Sequence, residues 1–459
     1  MSTSTLINRP NPTLPVVRRE AALAPLRRPR RDRRLEVIEA PDVPLVDGRR
    51  VRYANFDYAA SAPAVRAAAD AVAELLPRYT AVHRGAGWLS RECTRSYERA
   101  RAQVARFLGC RPDDHVVFTR HTTESMNLLA GALPEGTRVV VFDSEHHANL
   151  LPWREPIRLP IPDSPATAVR SIVAALEVLG RDKPVLVAIT GASNVTGELF
   201  PVAEICVAAR RFGARVLLDA AQLAPHRPVD IAALGVDYVA FSGHKLYAPF
   251  GAGVLAGRGD WLDAAAPHLS GGGATAEVGD ATCDIAWKRG PARHEAGSPN
   301  VLGAVALGAV CEALNGEVWE ALVAREEALR ERLARGLAGI DGVARLRLFS
   351  PGAASVGTVA FVIEGLNSGV AAAALSAEYG IGVRDGLFCA HPLTRRLLLD
   401  SRANVDGQAL RASVGLGTTT ADVDRLVEAV ARLAADGPAV EYAVVDGRHA
   451  PVDDPRESY

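Results

Sequence analysis

Through the middle of the chain, short runs of β-branched and other apolar residues alternate with longer stretches whose apolar positions recur at intervals of three and four. The runs at 139–142, 185–190, 216–218 and 238–241 read as strands, and the segment 201–213 reads as an amphipathic helix. Such alternation predicts an α/β fold, a mostly parallel sheet covered by helices. After about residue 300 the texture changes to long Ala/Leu/Glu/Arg helices at 301–314 and 317–337, then to strand-like pieces at 358–363 and 381–384. A second, smaller domain is expected to begin there.

Length and composition narrow the class of protein. A chain of 459 residues has room for two or three domains. With 48% apolar residues, 23% charged residues and a net charge of -1, it has the make-up of an ordinary soluble globular protein. That excludes wholesale disorder and argues against nucleic-acid binding driven by bulk charge. No run reaches the roughly 18 to 20 apolar residues that a membrane span needs, so no membrane partner is expected. The first 34 residues hold nine arginines, two acids and several prolines, without the apolar core of a signal peptide. Residues 1–45 are therefore expected to form a flexible Arg-rich extension, and the charge-rich tail 437–459 is expected to be poorly ordered.

The six cysteines, at 93, 110, 206, 283, 311 and 389, are scattered and form no CxxC pair. Neither a disulfide framework nor a metal site is suggested, and a reducing cytoplasm is the simplest compartment. Cys206 and Cys311 read as small buried hydrophobes. Only three lysines occur, Lys183, Lys245 and Lys288, so lysine chemistry has three candidates.

In open α/β sheets the ligand sits beyond the carboxyl ends of the strands. Asp219 follows one predicted strand, with Gln222 three residues later, and Ser242-Gly243-His244-Lys245 follows another. A lysine there can form a Schiff base with an aldehyde cofactor, and an acid opposite can keep a pyridinium nitrogen protonated. That pairing is what pyridoxal phosphate requires. Its phosphate needs N–H groups and hydroxyls, which Thr122 and Thr123 supply at a helix start. Taken alone, these threonines equally suit a simple helix cap.

Together these stretches resemble the class V branch of fold-type I pyridoxal-phosphate enzymes, and most closely the group II cysteine desulfurases with selenocysteine lyase. The matching pieces occur in order from about residue 55 to 433: FDYAASAP (56–63), AVHRG (81–85), TTE (122–124), EHHANLLPW (145–153), SNVTG (193–197), LLDAAQ (217–222), FSGHKLYAPFGAG (241–253), EAGSPN (295–300), VRDGLFCAHPL (383–393) and LRASVG (410–415). The resemblance implies a large cofactor domain over 60–310 with a sheet of the seven-stranded type. A smaller α+β domain, built from 46–59 with 311–436, would carry the Cys389 loop. It further implies that Lys245 carries the cofactor and moves the substrate's α-proton, and that His146 stacks on the ring and assists proton transfer. Asp219 would pair with the pyridine nitrogen and Gln222 with the ring oxygen. Thr122, Thr123, Ser242 and His244 would hold the phosphate, and Ser298 would reach in from a second subunit, which implies a homodimer. Asn194 and Arg411 would bind the substrate carboxylate, with Arg384 and His83 near the substrate. Cys389 would attack the sulfur of cofactor-bound L-cysteine, keep it as a persulfide for an acceptor protein, and leave alanine. A thiolate suits that step as a soft nucleophile and sulfur carrier, and Arg384 on the same loop would favour it.

Three positions depart from the family pattern. His121 stands where a glycine usually precedes Thr-Thr-Glu, Leu387 and Phe388 replace a polar pair beside the cysteine, and Gly417-Thr418 replaces Asn-Thr. The departures around Cys389 keep open a different class V enzyme, such as a C–S lyase, epimerase or aminotransferase acting on a larger amino acid. A non-catalytic partner protein on the same scaffold is the third alternative.

Overall fold

The computed structural model describes residues 34–83, 85–281, 284–316 and 319–456. The central sheet consists of β1 (Asp114–Thr119), β2 (Arg138–Phe142), β3 (Ile157–Leu159), β4 (Val185–Thr190), β5 (Arg215–Asp219), β6 (Tyr238–Ser242) and β7 (Gly253–Arg258), in the order β1-β7-β6-β5-β4-β2-β3. All neighbours from β6 to β3 run parallel, and β7 is antiparallel to both β1 and β6. Every residue of β4 is buried, as it must be when helices cover both faces of a parallel sheet. The four expected strands and the helix, found as Val202–Arg211, lie within a residue or two of the positions read from the sequence.

Register sets up the site. Thr190 stands opposite Asp219 and Asp219 opposite Ala240, while Gly253 stands between Ser242 and Thr119. The chemistry-bearing ends of β1, β4, β5 and β6 thus form one rim.

A second, four-stranded antiparallel sheet contains β8 (Val343–Leu346), β9 (Thr358–Ile363), β10 (Arg384–Gly386) and β11 (Ala409–Ser413), in the order β8-β9-β11-β10. Leu329, Leu333, Phe361, Leu426 and Val430 pack between it and the helices Trp319–Ala338 and Thr420–Asp436. The second of these helices starts at a capping box of Thr419 and Asp422. The strand expected at 381–384 is divided. Ile381–Gly382 pairs in parallel with Ala54–Asn55, and the chain then switches sheets so that Arg384 pairs with Arg411. The early segment is also tied to β11, because Ser413 donates its N–H to Phe56 O and Asp57 bridges to Ser413.

Two expectations about the ends are corrected. Of the extension, residues 1–33 lie outside the described residues, but 34–45 are part of the fold. Val37 bridges to Val65, Asp42–Pro44 pairs with Arg50–Arg52, and Leu45 is buried. In the tail, Tyr442–Val445 and Arg448–Pro451 form a hairpin. It is anchored by Glu378, which accepts from Ala439 N–H and from the Tyr442 hydroxyl at 3.0 Å. Apolar contacts at Leu45 and a buried acid at Glu378 override the charge-rich composition of both segments.

Candidate active site

A cavity of about 480 Å³ opens where the rim of the central sheet meets the second sheet. Its lining includes Thr122, Thr123, His146, Asn194, Asp219, Gln222, Ser242, His244, Lys245, Arg384, Cys389 and Arg411. Twelve of the fourteen residues singled out from the sequence therefore converge on one space. Ser298 and His83 do not line it. Ser298 is exposed on the loop after the 3-10 turn Pro291–Arg293.

His83 faces away from that cavity in its own chain. Its ring contacts Glu98 Oε1 at 2.9 Å and packs edge-on against Tyr97. It lines a separate cavity of about 300 Å³ with Arg101, Lys288 and Arg289. The carboxylate of Glu98, on the helix Trp88–Phe107, holds the imidazole on that side.

Lys245 follows β6, is partly buried and lines the cavity. Burial pushes its amine down to about 8, partly countered by the Asp219 carboxylate. Asp219 is buried, accepts the Ala221 N–H at 2.9 Å, and is pushed upward by loss of solvent. Gln222 donates to Ala59 O at 2.7 Å, which fixes its amide at the cavity wall.

His146 is the N-cap of the short helix His147–Leu150, and its Nδ1 accepts the Ala148 N–H at 3.0 Å. That contact leaves Nε2 as the protonated nitrogen of the neutral ring. Burial, reinforced by Lys245, pushes His146 down to about 3, so the ring is neutral across the physiological range. Behind it, Glu145 is fully buried and ties the turn to β4, accepting from Thr190 N–H at 3.0 Å and from Asn149 Nδ2 at 2.8 Å. Burial pushes this carboxyl up to about 8.

Thr122 opens the 11-residue helix Thr122–Ala132, and its N–H and hydroxyl both meet Ser242 Oγ, at 2.8 and 2.7 Å. His244 contacts Ser61 Oγ at 3.3 Å, and burial pushes it down to about 4. His121 has φ −169°, extended backbone that any residue adopts, so the histidine costs nothing where the family pattern has glycine. Its Nδ1 accepts the Glu124 N–H at 3.2 Å as a helix cap. The glycine that matters is on the neighbouring strand, since a Cβ on Gly253 would lie 2.6 Å from His121 Cα.

The opposite wall belongs to the second sheet. Arg411 is buried, donates to Asn194 O at 2.8 Å and to Asp57 Oδ1 at 3.2 Å, and its guanidinium lies 5.1 Å from the Phe388 ring centre. Asn194 Nδ2 donates to Phe388 O at 2.7 Å. Phe388 and Cys389 have φ of +51° and +52°, two successive left-handed residues that together cost on the order of 2 kcal/mol. The turn presents an exposed Cys389 thiol at the cavity, close enough to act electrostatically on Lys245 and Arg411. Its carbonyl accepts the His147 N–H at 2.8 Å. Asp57 was not singled out from the sequence, although it lies inside the FDYAASAP stretch.

The donor set fits pyridoxal phosphate. A helix N-terminus with two threonines, a serine and a histidine suits a phosphate dianion, and a buried acid stands on the rim beside the strand that leads into the lysine. The chain belongs to the class V aminotransferase family, whose model (Aminotransferase class-V) matches residues 54–426. It is a pyridoxal-phosphate-dependent enzyme. It is 37% identical over 401 residues to a cysteine desulfurase of Klebsiella pneumoniae (strain 342), covering 84% of this chain and 94% of that one. It is likewise 37% identical over 402 residues to a cysteine desulfurase of Dickeya dadantii (strain 3937), covering 84% and 93%. Among solved structures, the cysteine desulfurase CsdA of Escherichia coli, in its S-sulfonic acid form, aligns with TM-score 0.71 at 33% identity, covering 83% of this chain and 94% of that one. The apo cysteine desulfurase of Thermococcus onnurineus NA1 aligns with TM-score 0.73 at 29% identity, with the same coverage.

Proposed function

We propose that the chain is a cysteine desulfurase that converts L-cysteine to L-alanine and passes the sulfur on as a persulfide of Cys389. The observation that carries this is the exposed Cys389 thiol at the mouth of the cavity that also holds Lys245 and Arg411. Pyridoxal phosphate, when bound, draws electrons from the α-carbon of an amino acid joined to it and weakens the α-C–H bond. Lys245 would hold the cofactor, and its Nζ would carry the α-proton. Asp219 would keep the pyridine nitrogen protonated, Gln222 would meet the ring oxygen, and His146 would support the ring and offer its Nε2–H. Thr122, Thr123, Ser242 and His244 bind the phosphate.

Arg411 and Asn194 hold the substrate carboxylate, with Arg384 at the rim, and this orients the side chain toward Cys389. The substrate's C–S bond breaks as an S–S bond forms on Cys389. The substrate carbon takes up a proton and leaves as alanine, and an acceptor thiol later removes the sulfur. The protein acts as a homodimer in which Ser298 and His83 serve the second copy's site. A reducing cytoplasm suits a thiol that must stay free between turnovers. Sulfide and alanine produced in equal amounts from L-cysteine in the presence of a thiol reductant test the assignment, and yellow protein that makes neither contradicts it.

A further inference from the structure

Arg411 is engaged before any substrate arrives. We propose that Asp57 is a positioning residue that clamps the Arg411 guanidinium and, by sharing its charge, sets the affinity of the cavity for the amino-acid carboxylate. The inference rests on the assignment of Arg411 to that carboxylate.

The backbone of Asp57 is fixed from several sides. Its N–H donates to Asn55 Oδ1 at 2.8 Å, its carbonyl accepts from Ala60 N–H at 3.0 Å and Ser61 N–H at 3.2 Å, and Ala59 N–H donates to Ser413 Oγ at 2.9 Å. Ser413 lies two residues beyond Arg411 on β11, so both side chains leave the same face of that strand. The Asp57 carboxylate therefore reaches Arg411 from a rigid support, at 3.2 Å, while Asn194 O holds the other terminal nitrogen at 2.8 Å.

The clamp leaves the cation part-used. Arg411 Nε is buried without a partner among the described residues, so the guanidinium keeps donor capacity. Burial works most strongly against the charge of Asp57, which Arg411 and Arg384 support and Asp385 opposes, with Lys245 also within electrostatic reach. An incoming carboxylate then meets a cation already neutralised in part by Asp57, and the two anions share it. Removing the charge of Asp57 while keeping its shape strengthens carboxylate binding. Removing the whole side chain frees the guanidinium to leave its seat and weakens it.

The test uses cofactor-loaded protein and an unreactive probe. The apparent dissociation constants of L-alanine, and of L-alaninol, which lacks the carboxylate, are read from the absorbance of the bound cofactor. Asp57→Asn is expected to tighten L-alanine by about threefold to fivefold, the range of a partly exposed ion pair, and to leave L-alaninol unchanged. Asp57→Ala is expected to weaken L-alanine below wild type. Asp57→Asn that leaves L-alanine within twofold, or Asp57→Ala that matches Asp57→Asn, overturns the proposal. Arg411→Lys separates the two layers. Selective loss of L-alanine there upholds the carboxylate assignment whatever the Asp57 variants do, and equal loss of both probes overturns that assignment and the clamp together.

Discussion

Phe388 joins the Cys389 loop to Arg411 and Asn194, because its ring lies 5.1 Å from the Arg411 guanidinium and its carbonyl accepts from the Asn194 amide. The residue is 8% exposed and belongs to the main apolar cluster. Its left-handed backbone is held by this packing. Phe388→Ala removes a buried ring and is expected to cost about 3 kcal/mol of stability, read as a shift in the denaturant midpoint at unchanged slope. With Arg411 and Asn194 assigned to the substrate carboxylate under the proposed function, the same variant is expected to raise the KM for L-cysteine more than it lowers kcat. A fall in kcat at constant KM would place the effect on the chemical step instead.

Lys245 provides a direct test of the cofactor assignment. Lys245→Ala is expected to lose the visible absorbance of the bound cofactor and the production of alanine together. Retention of both would move the cofactor to another amine, Lys183 or Lys288.

The depressed pKa of Lys245 has a kinetic consequence. Only the neutral amine attacks an aldehyde, and the amine is protonated below about 8 and neutral above it. Uptake of pyridoxal phosphate by cofactor-free protein is therefore expected to speed up as pH rises through about 8 and to level off beyond it. A free lysine amine would still be gaining near its ordinary value of about 10.4. Stopped-flow absorbance across this range distinguishes the two.

His121→Gly is expected to destabilise the protein by only about 0.3 kcal/mol, read as a slightly lowered thermal midpoint. The substitution removes the cap on Glu124 N–H and relieves no strain, because φ is −169°. A gain in stability would show that the site does require glycine.

How much of this was legible in the sequence depended on distance along the chain. Four of the seven central strands are short β-branched apolar runs set between helical stretches, which made them legible, and the residues just beyond β5 and β6 pointed to Asp219 and Lys245, whereas 114–119, 157–159 and 253–258 were not read as strands. The division of 381–386 between two sheets was not legible, because it depends on Ala54–Asn55, more than 300 residues away, as a pairing partner. The order of 34–45 and of the C-terminal hairpin was hidden for the same reason, since Val65 and Glu378 come into contact with them only in the fold. That His83 faces a different cavity of its own chain was not legible, because a short motif carries no information about which cavity a loop faces. Asp57 lay inside a quoted motif, but its contact with Arg411, 354 residues on, exists only through the bridge to Ser413.

In the proposed reaction Cys389 takes the sulfur. Cofactor-loaded wild type and Cys389→Ala, incubated with L-cysteine and a thiol reductant, are compared for alanine and sulfide. Wild type is expected to give equal amounts of alanine and sulfide, and the variant an intact cofactor spectrum with neither product. Undiminished alanine from Cys389→Ala would contradict that role.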